Sequence, residues 1–536
     1  MKLKHGLMLA AGAAMALPAG AAGAAGALDG SGVDGVDGAG RNQKKDSKRP
    51  NVIFILMDDA GYGDFGCYGQ QKIETPNIDA LAQAGIVFTD MYAGAPVSAP
   101  SRCTLMTGLH SGHAQIRSND ELLDRGDVWK LRAMIDNPEL EGQYPMAAGT
   151  TTIASVMQDA GYKTSMIGKW GLGGPASQSR PSDMGFNLFY GYMCQRMAQC
   201  YYPMFLYRNN EREYLDNPFM ELSSALSKDE NLYDIASYAR FKGNDYSPDK
   251  MYDEVSSFIQ ENRNDEFFLM WTTTLPHAAF QAPDELVDYY VKKFGEQYNV
   301  VEEPVYNGKG YFPCRYPKAT YAAMLTYFDM QVGKMVEELK RLGIYENTII
   351  MFSSDNGPTH NAYTSTNWFD CAAPFRSDKG WTKRSLHEGG IRIPFIVSWA
   401  GKIEHQVSDH IGFFPDVMPT LCDIAKVKCP ETDGISIYPM LQGKKQKEHE
   451  YLYWEFPPFK TDKGWLCVRM GEWKGLVTDV ATGNNTMKLY RINEDPREEN
   501  DLAAQYPEVV AKMWEHIRES HTPSEHHLFN LEITYP

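Results

Sequence analysis

Clustered cysteine is missing from this chain. Its nine cysteines form no C-x-x-C pair, which indicates neither a zinc site nor a dense disulfide framework. An oxidising compartment would permit Cys422 to pair with Cys429, or Cys194 with Cys200, and the connectivity stays open. Positive charge is also in short supply: 52 Lys and Arg face 69 Asp and Glu, for a formal net charge of -17. A nucleic-acid or anionic-membrane partner is not expected of such a chain, so any anion site must be built locally. After the N-terminal segment no run is apolar for long enough to span a bilayer, and no internal repeat stands out.

What is present suits a large folded protein. The 536 residues are 43% hydrophobic and 12% aromatic, enough for an extensive core and more than one domain. Residues 1–27 combine Lys2 and Lys4 with a short apolar stretch and small residues of cleavage-site type, the pattern of a secretory signal peptide. A polar, glycine-rich linker follows over 28–48. Export to the periplasm or the cell exterior is expected.

Apolar, β-rich runs then alternate with helical patterns: 51–59, 151–162, 163–170, 267–277, 347–357 and 391–399. Continuous apolar strands punctuated by helices predict an α/β fold with a large, mainly parallel or mixed sheet sandwiched by helices over 49–435. The segment 321–343 is the clearest helix, with Met324, Tyr327, Phe328, Met335, Val336 and Leu339 on one stripe and Gly343 as its stop. From 436 to 536 shorter candidate strands (YLYWEF, WLCVRMGEWKGLV, MKLYRI) precede a final helix. That pattern predicts a smaller antiparallel α+β subdomain.

In open α/β sheets ligands bind beyond the C-terminal ends of the strands. Here the apolar runs end in Asp58-Asp59, in Asp355-Asn356-Gly357, in Gly168-Lys169-Trp170 and in Leu275-Pro276-His277. Three carboxylates and an amide oxygen are hard, oxygen-only ligands, which favours Ca²⁺ or Mg²⁺ over zinc. In SAPSRCTLMTG, Ser98 stands two residues before Pro100, a residue suited to a first helical turn, so the serine is expected at a helix N-terminus beside free N–H groups.

These segments together resemble the formylglycine-dependent sulfatases of the alkaline-phosphatase-like superfamily, over nearly the whole mature chain. The matching motifs are DDAGYGD (58–64), S-x-P-S-R with T-G (98–108), GKWGLG (168–173), SSDNG (353–357), KRSLHEGGIRIP (383–394) and LYRINEDPREENDLA (489–503). The resemblance implies that Ser98 is oxidised to Cα-formylglycine by a serine-type, radical maturation enzyme. A hydrated aldehyde carries two hydroxyls on one carbon; one attacks sulfur, and loss of the other's proton expels sulfate, whereas serine would stop at a stable ester. It further implies that Asp58, Asp59, Asp355, Asn356 and the modified Ser98 hold the cation, that Arg102 supports the modified side chain, and that Lys169 and Lys383 bind sulfate oxygens. His277 would protonate the departing sugar oxygen. Lys383 is preferred to Lys379 for its spacing to Glu388-Gly389-Gly390.

One departure from the family stands out. Relatives with K-W-H-L-G use the histidine as a base in the second step, and this chain has Gly171 there. His110 and His113, behind the Ser98 helix, are the candidates to replace it, and His360 and Arg376 are candidate substrate contacts. Tyr201, Tyr202, Trp368, Phe375 and Trp381 are candidate walls of a sugar subsite. The expected substrate is a carbohydrate sulfate ester, of galactose or N-acetylgalactosamine type. A phosphoester or phosphonate hydrolase of the same superfamily and a non-catalytic glycan-binding protein remain as alternatives.

Overall fold

The apolar run Asn51–Met57 forms strand β1 with every residue buried. Successive side chains of a strand face opposite ways, so a strand buried throughout is covered on both faces of its sheet. The structure, a computed structural model, describes residues 49–121, 130–222, 224–227, 229–231, 234–296, 311–360 and 366–536. The expected signal peptide and linker lie outside these.

Ten strands form the main sheet, in the order β11-β2-β10-β9-β1-β8-β4-β5-β6-β7. They are β1, β2 (Gly85–Phe88), β4 (Lys163–Lys169), β5 (Leu188–Tyr192), β6 (Phe205–Arg208), β7 (Glu211–Tyr214), β8 (Phe267–Thr272), β9 (Thr348–Ser354), β10 (Phe395–Trp399) and β11 (Gln406–Ser408). The centre, β9-β1-β8-β4-β5, is parallel. Antiparallel pairs flank it, β10 with β9 and β2 on one side, β6 with β5 and β7 on the other. The sheet is therefore mixed. A short pair of β3 (Met91–Tyr92) with β12 (Gly412–Phe413) lies apart from it.

The predicted long helix runs over Pro317–Arg341, with Met324, Phe328, Met335 and Leu339 buried. The run 151–162, grouped above with the strand-like segments, instead contains the helix Ile153–Asp159, whose N-terminus is closed by Thr152 accepting from the Ser155 N–H at 3.1 Å. Its apolar residues at Ile153, Ala154 and Met157 follow a helical period. Among the described residues no helix is long and apolar enough to cross a membrane. All nine cysteines are free thiols.

The C-terminal strands form a four-stranded antiparallel sheet: β13 (Leu452–Phe456), β14 (Trp465–Met470), β15 (Trp473–Thr478) and β16 (Lys488–Arg491). Tyr453, Leu466 and Val468 pack with Met513, Trp514 and Ile517 of the helix Pro507–Ser520. The alternate residues Leu452, Trp454 and Cys467 pack with Tyr92 and Phe413. Buried charge joins this sheet to the preceding chain: Lys474 Nζ lies 2.8 Å from Glu388 and 3.0 Å from Glu498. Two of the sequence motifs thus meet at one lysine.

Candidate active site

Strands β9, β1 and β8 are neighbours, so residues just past their C-terminal ends share one edge of the sheet. The Asp58 N–H donates to the Leu275 carbonyl at 3.1 Å and the Asp355 N–H to that of Met57 at 3.0 Å. The Asp59 N–H donates to Asp355 Oδ1 at 3.2 Å. Consecutive residues of an extended chain would point to opposite faces. Asp59 breaks that rule with φ of 65°, a left-handed conformation that costs a non-glycine residue about 1 kcal/mol or more and turns its carboxylate to the same side as that of Asp58.

The result is a buried cluster in which Asp58, Asp59 and Asp355 each offer an oxygen within 4.8 Å of the others. Asn356 Nδ2 donates to Asp59 Oδ1 at 2.7 Å, which leaves Oδ1 of Asn356 facing Ser98. The hydroxyl of Ser98 lies 3.2 Å from Asp58 Oδ1 and 3.5 Å from Asn356 Oδ1. Ser98 opens the helix Ser98–Thr107, whose ten residues are all buried. A helix N-terminus, with its outward N–H groups, therefore abuts the carboxylates.

Cations close the other side. Lys169, at the end of β4, places Nζ 2.5 Å from Asp58 Oδ2, and Lys383 places Nζ 2.6 Å from Asp59 Oδ1. Gly168 lets β4 approach closely here: a Cβ on it would lie 1.9 Å from the Thr272 carbonyl oxygen. The bonds of Arg102 go to Asp355 Oδ2, at 3.0 Å, and to the Lys169 carbonyl, at 2.8 Å. His277 sets Nε2 3.6 Å from Asp59 Oδ2 and Nδ1 2.5 Å from the Ala278 carbonyl.

Burial raises the carboxyls of Asp58 and Asp59, yet Lys169 and His277 for the first, and Lys383 and His277 for the second, hold both below the usual range. Burial pulls Lys169 down despite Asp58. It also pulls His277 down, against Asp58 and Asp59. On Lys383 burial acts the same way but loses to Asp59, Asp58 and Asp355, and the ammonium is held above its ordinary value.

A cavity of about 430 Å³ opens beside this cluster, with His277, Thr359, His360, Lys383, Arg384 and Lys460 among its lining. Asn119, Gln143, Gln195 and Arg196 also line it. The candidate His360 is thus at the cavity. His110 and His113 are not: a ten-residue helix spans about 15 Å, and both follow its C-terminal end. They stack on one another at 4.1 Å, and His113 Nδ1 meets Asp433 Oδ2 at 2.9 Å. With Asp433 they form a second group of ligand atoms, all within 4.8 Å of one another, apart from the cavity.

Arg376 likewise turns away from the cavity, stacking 3.7 Å over Trp381 and pairing with Asp378 at 2.9 Å. The candidate sugar-wall aromatics pack elsewhere. Phe375 joins Tyr62 and Ala372, Trp381 stacks on His387, Trp368 packs on Phe294 and Tyr202 packs on Tyr246. Tyr201 lies behind the site, donating its O–H to the Thr274 and His277 carbonyls at 2.6 and 2.8 Å. The aromatic residues that do line the cavity, among those described, are Tyr311 and Phe459. Sequence reasoning also missed Thr359, whose hydroxyl bonds Asp59 Oδ2; its place three residues after Asn356, on the same strand-end loop, was the available signal.

The donor set fits a hard divalent cation. Three buried carboxylates, an amide oxygen and a hydroxyl are all oxygen ligands. Arg102, Lys169 and Lys383 balance the three negative charges, so a dication and an anionic ester would enter with opposite sign.

A mixed sheet of this order, with polar residues gathered at the ends of its central strands, is the alkaline-phosphatase-like fold. The sulfatase family model matches residues 50–427, and the model for the C-terminal part of N-sulphoglucosamine sulphohydrolase matches 378–522. The chain belongs to the sulfatase family and is a sulfuric ester hydrolase. It is 26% identical to the N-acetylgalactosamine-6-O-sulfatase of Bacteroides thetaiotaomicron, over 89% of this chain and 95% of that one. It is also 26% identical to human arylsulfatase A, over 87% and 86%. A solved enzyme in complex with its substrate, D-glucosamine-2-N,6-O-disulfate, superposes with a TM-score of 0.66 at 20% identity, covering 88% of this chain and 98% of that one.

Proposed function

We propose that this enzyme removes O-sulfate from galactose or N-acetylgalactosamine units of glycans outside the cytoplasm, using a formylglycine made from Ser98 and a divalent cation, Ca²⁺ in the first place. The observation that carries the reading is Ser98, buried at a helix N-terminus, 3.2 Å from Asp58 Oδ1. The N-acetylgalactosamine-6-O-sulfatase relative supports the sugar, and the N-terminal leader supports export and encounter with a serine-type maturation enzyme.

Asp58, Asp59, Asp355 and Asn356, with residue 98, would hold the cation. The oxidised side chain would supply a hydrated aldehyde in place of a simple hydroxyl, and the cation would polarise the oxygens around it. Lys169 and Lys383 bind the sulfate oxygens and meet charge as it redistributes in the transition state. Arg102 fixes Asp355 and the Lys169 backbone, which keeps those groups in register. His277, its Nδ1–H donated to a carbonyl, would hand the Nε2 proton to the leaving sugar oxygen from its imidazolium form, which Asp58 and Asp59 favour against burial.

The test is to make the protein with and without a serine-type maturation enzyme, measure the mass of the peptide carrying residue 98, and follow sulfate release from a panel of sulfated galactose and N-acetylgalactosamine monosaccharides. Loss of two hydrogens at residue 98, together with turnover, is expected only in the first preparation. Full multiple turnover by unmodified Ser98 protein would overturn the reading, as would converted protein that leaves every sugar untouched.

A further inference from the structure

Gln195 carries a buried donor with nothing to donate to. Its side-chain nitrogen is shielded from solvent and has no hydrogen-bond partner, although the residue lines the same cavity as His277 and Lys383. Buried polar groups are nearly always paired, and one left open in a cleft calls for a ligand atom. The placement is not loose. The Trp170 and Gly171 N–H groups donate to the Tyr192 and Met193 carbonyls at 2.9 and 3.2 Å, so the segment holding Gln195 runs beside the end of β4, two residues past Lys169. The Gln195 N–H donates to Gln143 Oε1 at 2.8 Å, and the next residue, Arg196, is tied by Nε to Glu121 at 3.0 Å.

Room for the amide comes from Gly171. A Cβ there would lie 2.9 Å from Gln195 Cγ and 3.3 Å from both Cδ and Nε2, and the glycine's φ of 77° disfavours any side chain. The space beside residue 171 is therefore filled from the opposite segment, by a neutral amide.

We infer that Gln195 is a specificity-determining substrate contact: by rotation of its terminal amide, the N–H group now shielded in the wall donates to a neutral oxygen of the sugar, a hydroxyl, ring or acetamido oxygen, while the lysines take the sulfate. The inference rests on the cavity being the sugar-sulfate site proposed above. Gln195→Met keeps the size and removes the donor; Gly171→Ala keeps the donor and pushes it aside. Both are compared with the parent, as matured, cation-loaded enzyme, on the best-turned-over monosaccharide of the panel and on 4-nitrophenyl sulfate, which has no sugar oxygen. The ratio of kcat/KM for sugar to that for aryl sulfate should fall about tenfold or more in each variant, the cost of one missing hydrogen bond to a sugar oxygen. Melting curves report whether the fold survives, and the ratio is read only from folded protein of either variant. A ratio within twofold of the parent in Gln195→Met overturns the inference while leaving the sugar reading intact. Parent enzyme that cleaves 4-nitrophenyl sulfate but no sugar overturns both.

Discussion

Lys383 donates to Asp59 Oδ1 over 2.6 Å, across 324 positions of sequence. The contact ties a loop after β9 to the end of β1 and aims the ammonium at the cavity. Replacing this lysine should remove charge stabilisation that is needed most in the transition state. Lys383→Ala is expected to lower kcat/KM for sulfate esters by more than about tenfold. Steady-state kinetics on matured enzyme check it, and unchanged kinetics would assign the role to another cation.

The acidic cluster makes activity depend on a cation. Incubation with a chelator, followed by gel filtration, should abolish sulfate release, and added Ca²⁺ should restore it. Asp355→Asn exchanges a charged oxygen ligand for a neutral one and removes the ion pair with Arg102; it should leave the enzyme needing a cation concentration at least about tenfold higher for half-maximal rate. Titration of activity against free Ca²⁺ measures both effects.

Asp64 should make stability depend on pH in the acidic range. Burial raises its carboxyl from 3.8 to about 6, although the Tyr321 O–H and Gly61 N–H bonded to it pull the other way. The folded chain thus binds this proton more tightly than the unfolded chain. The associated stability is complete below 3.8 and is lost as pH rises through 6. Asp64→Asn, which keeps an acceptor for both donors, should therefore gain on the parent between pH 4 and pH 7, by about 1 kcal/mol or more. Denaturant unfolding at the two pH values gives the comparison, and a difference independent of pH counts against it.

Lys474 should be structural. Its ammonium lies between Glu388 and Glu498, both buried. Lys474→Met leaves Glu388 to Arg392 and Glu498 to His387, so two buried carboxylates share less positive charge, and breaking a buried pair in this way costs about 3–5 kcal/mol. Denaturant unfolding should register the loss. A variant as stable as the parent would show that the carboxylates find water or protons instead.

Much of the site was legible in the sequence because of where strands end. Asp58, Asp59, Asp355 and Asn356 directly follow apolar runs that became adjacent strands, and Ser98 precedes a proline that announced a helix. His110 and His113 misled because nearness in sequence to Ser98 is undone by a helix that carries them to its far end. The aromatic candidates misled for a different reason: Phe375 and Tyr202 supply apolar area, and packing claims most such side chains for the interior. Gln195 left no sequence signal, since a glutamine is unremarkable until its neighbours prove to be spoken for.

The amino-acid sequence determined the order of apolar runs, the residue types at their ends and the places where the chain must turn, because these depend on local periodicity and backbone sterics. Which of those polar residues share a cleft was decided only by the tertiary structure. Contacts such as Lys383 with Asp59 join chain segments far apart, and their geometry follows from strand order, from the left-handed turn at Asp59 and from the space beside Gly171. No local rule contains that information, because it arises from the sheet that brings the ends together.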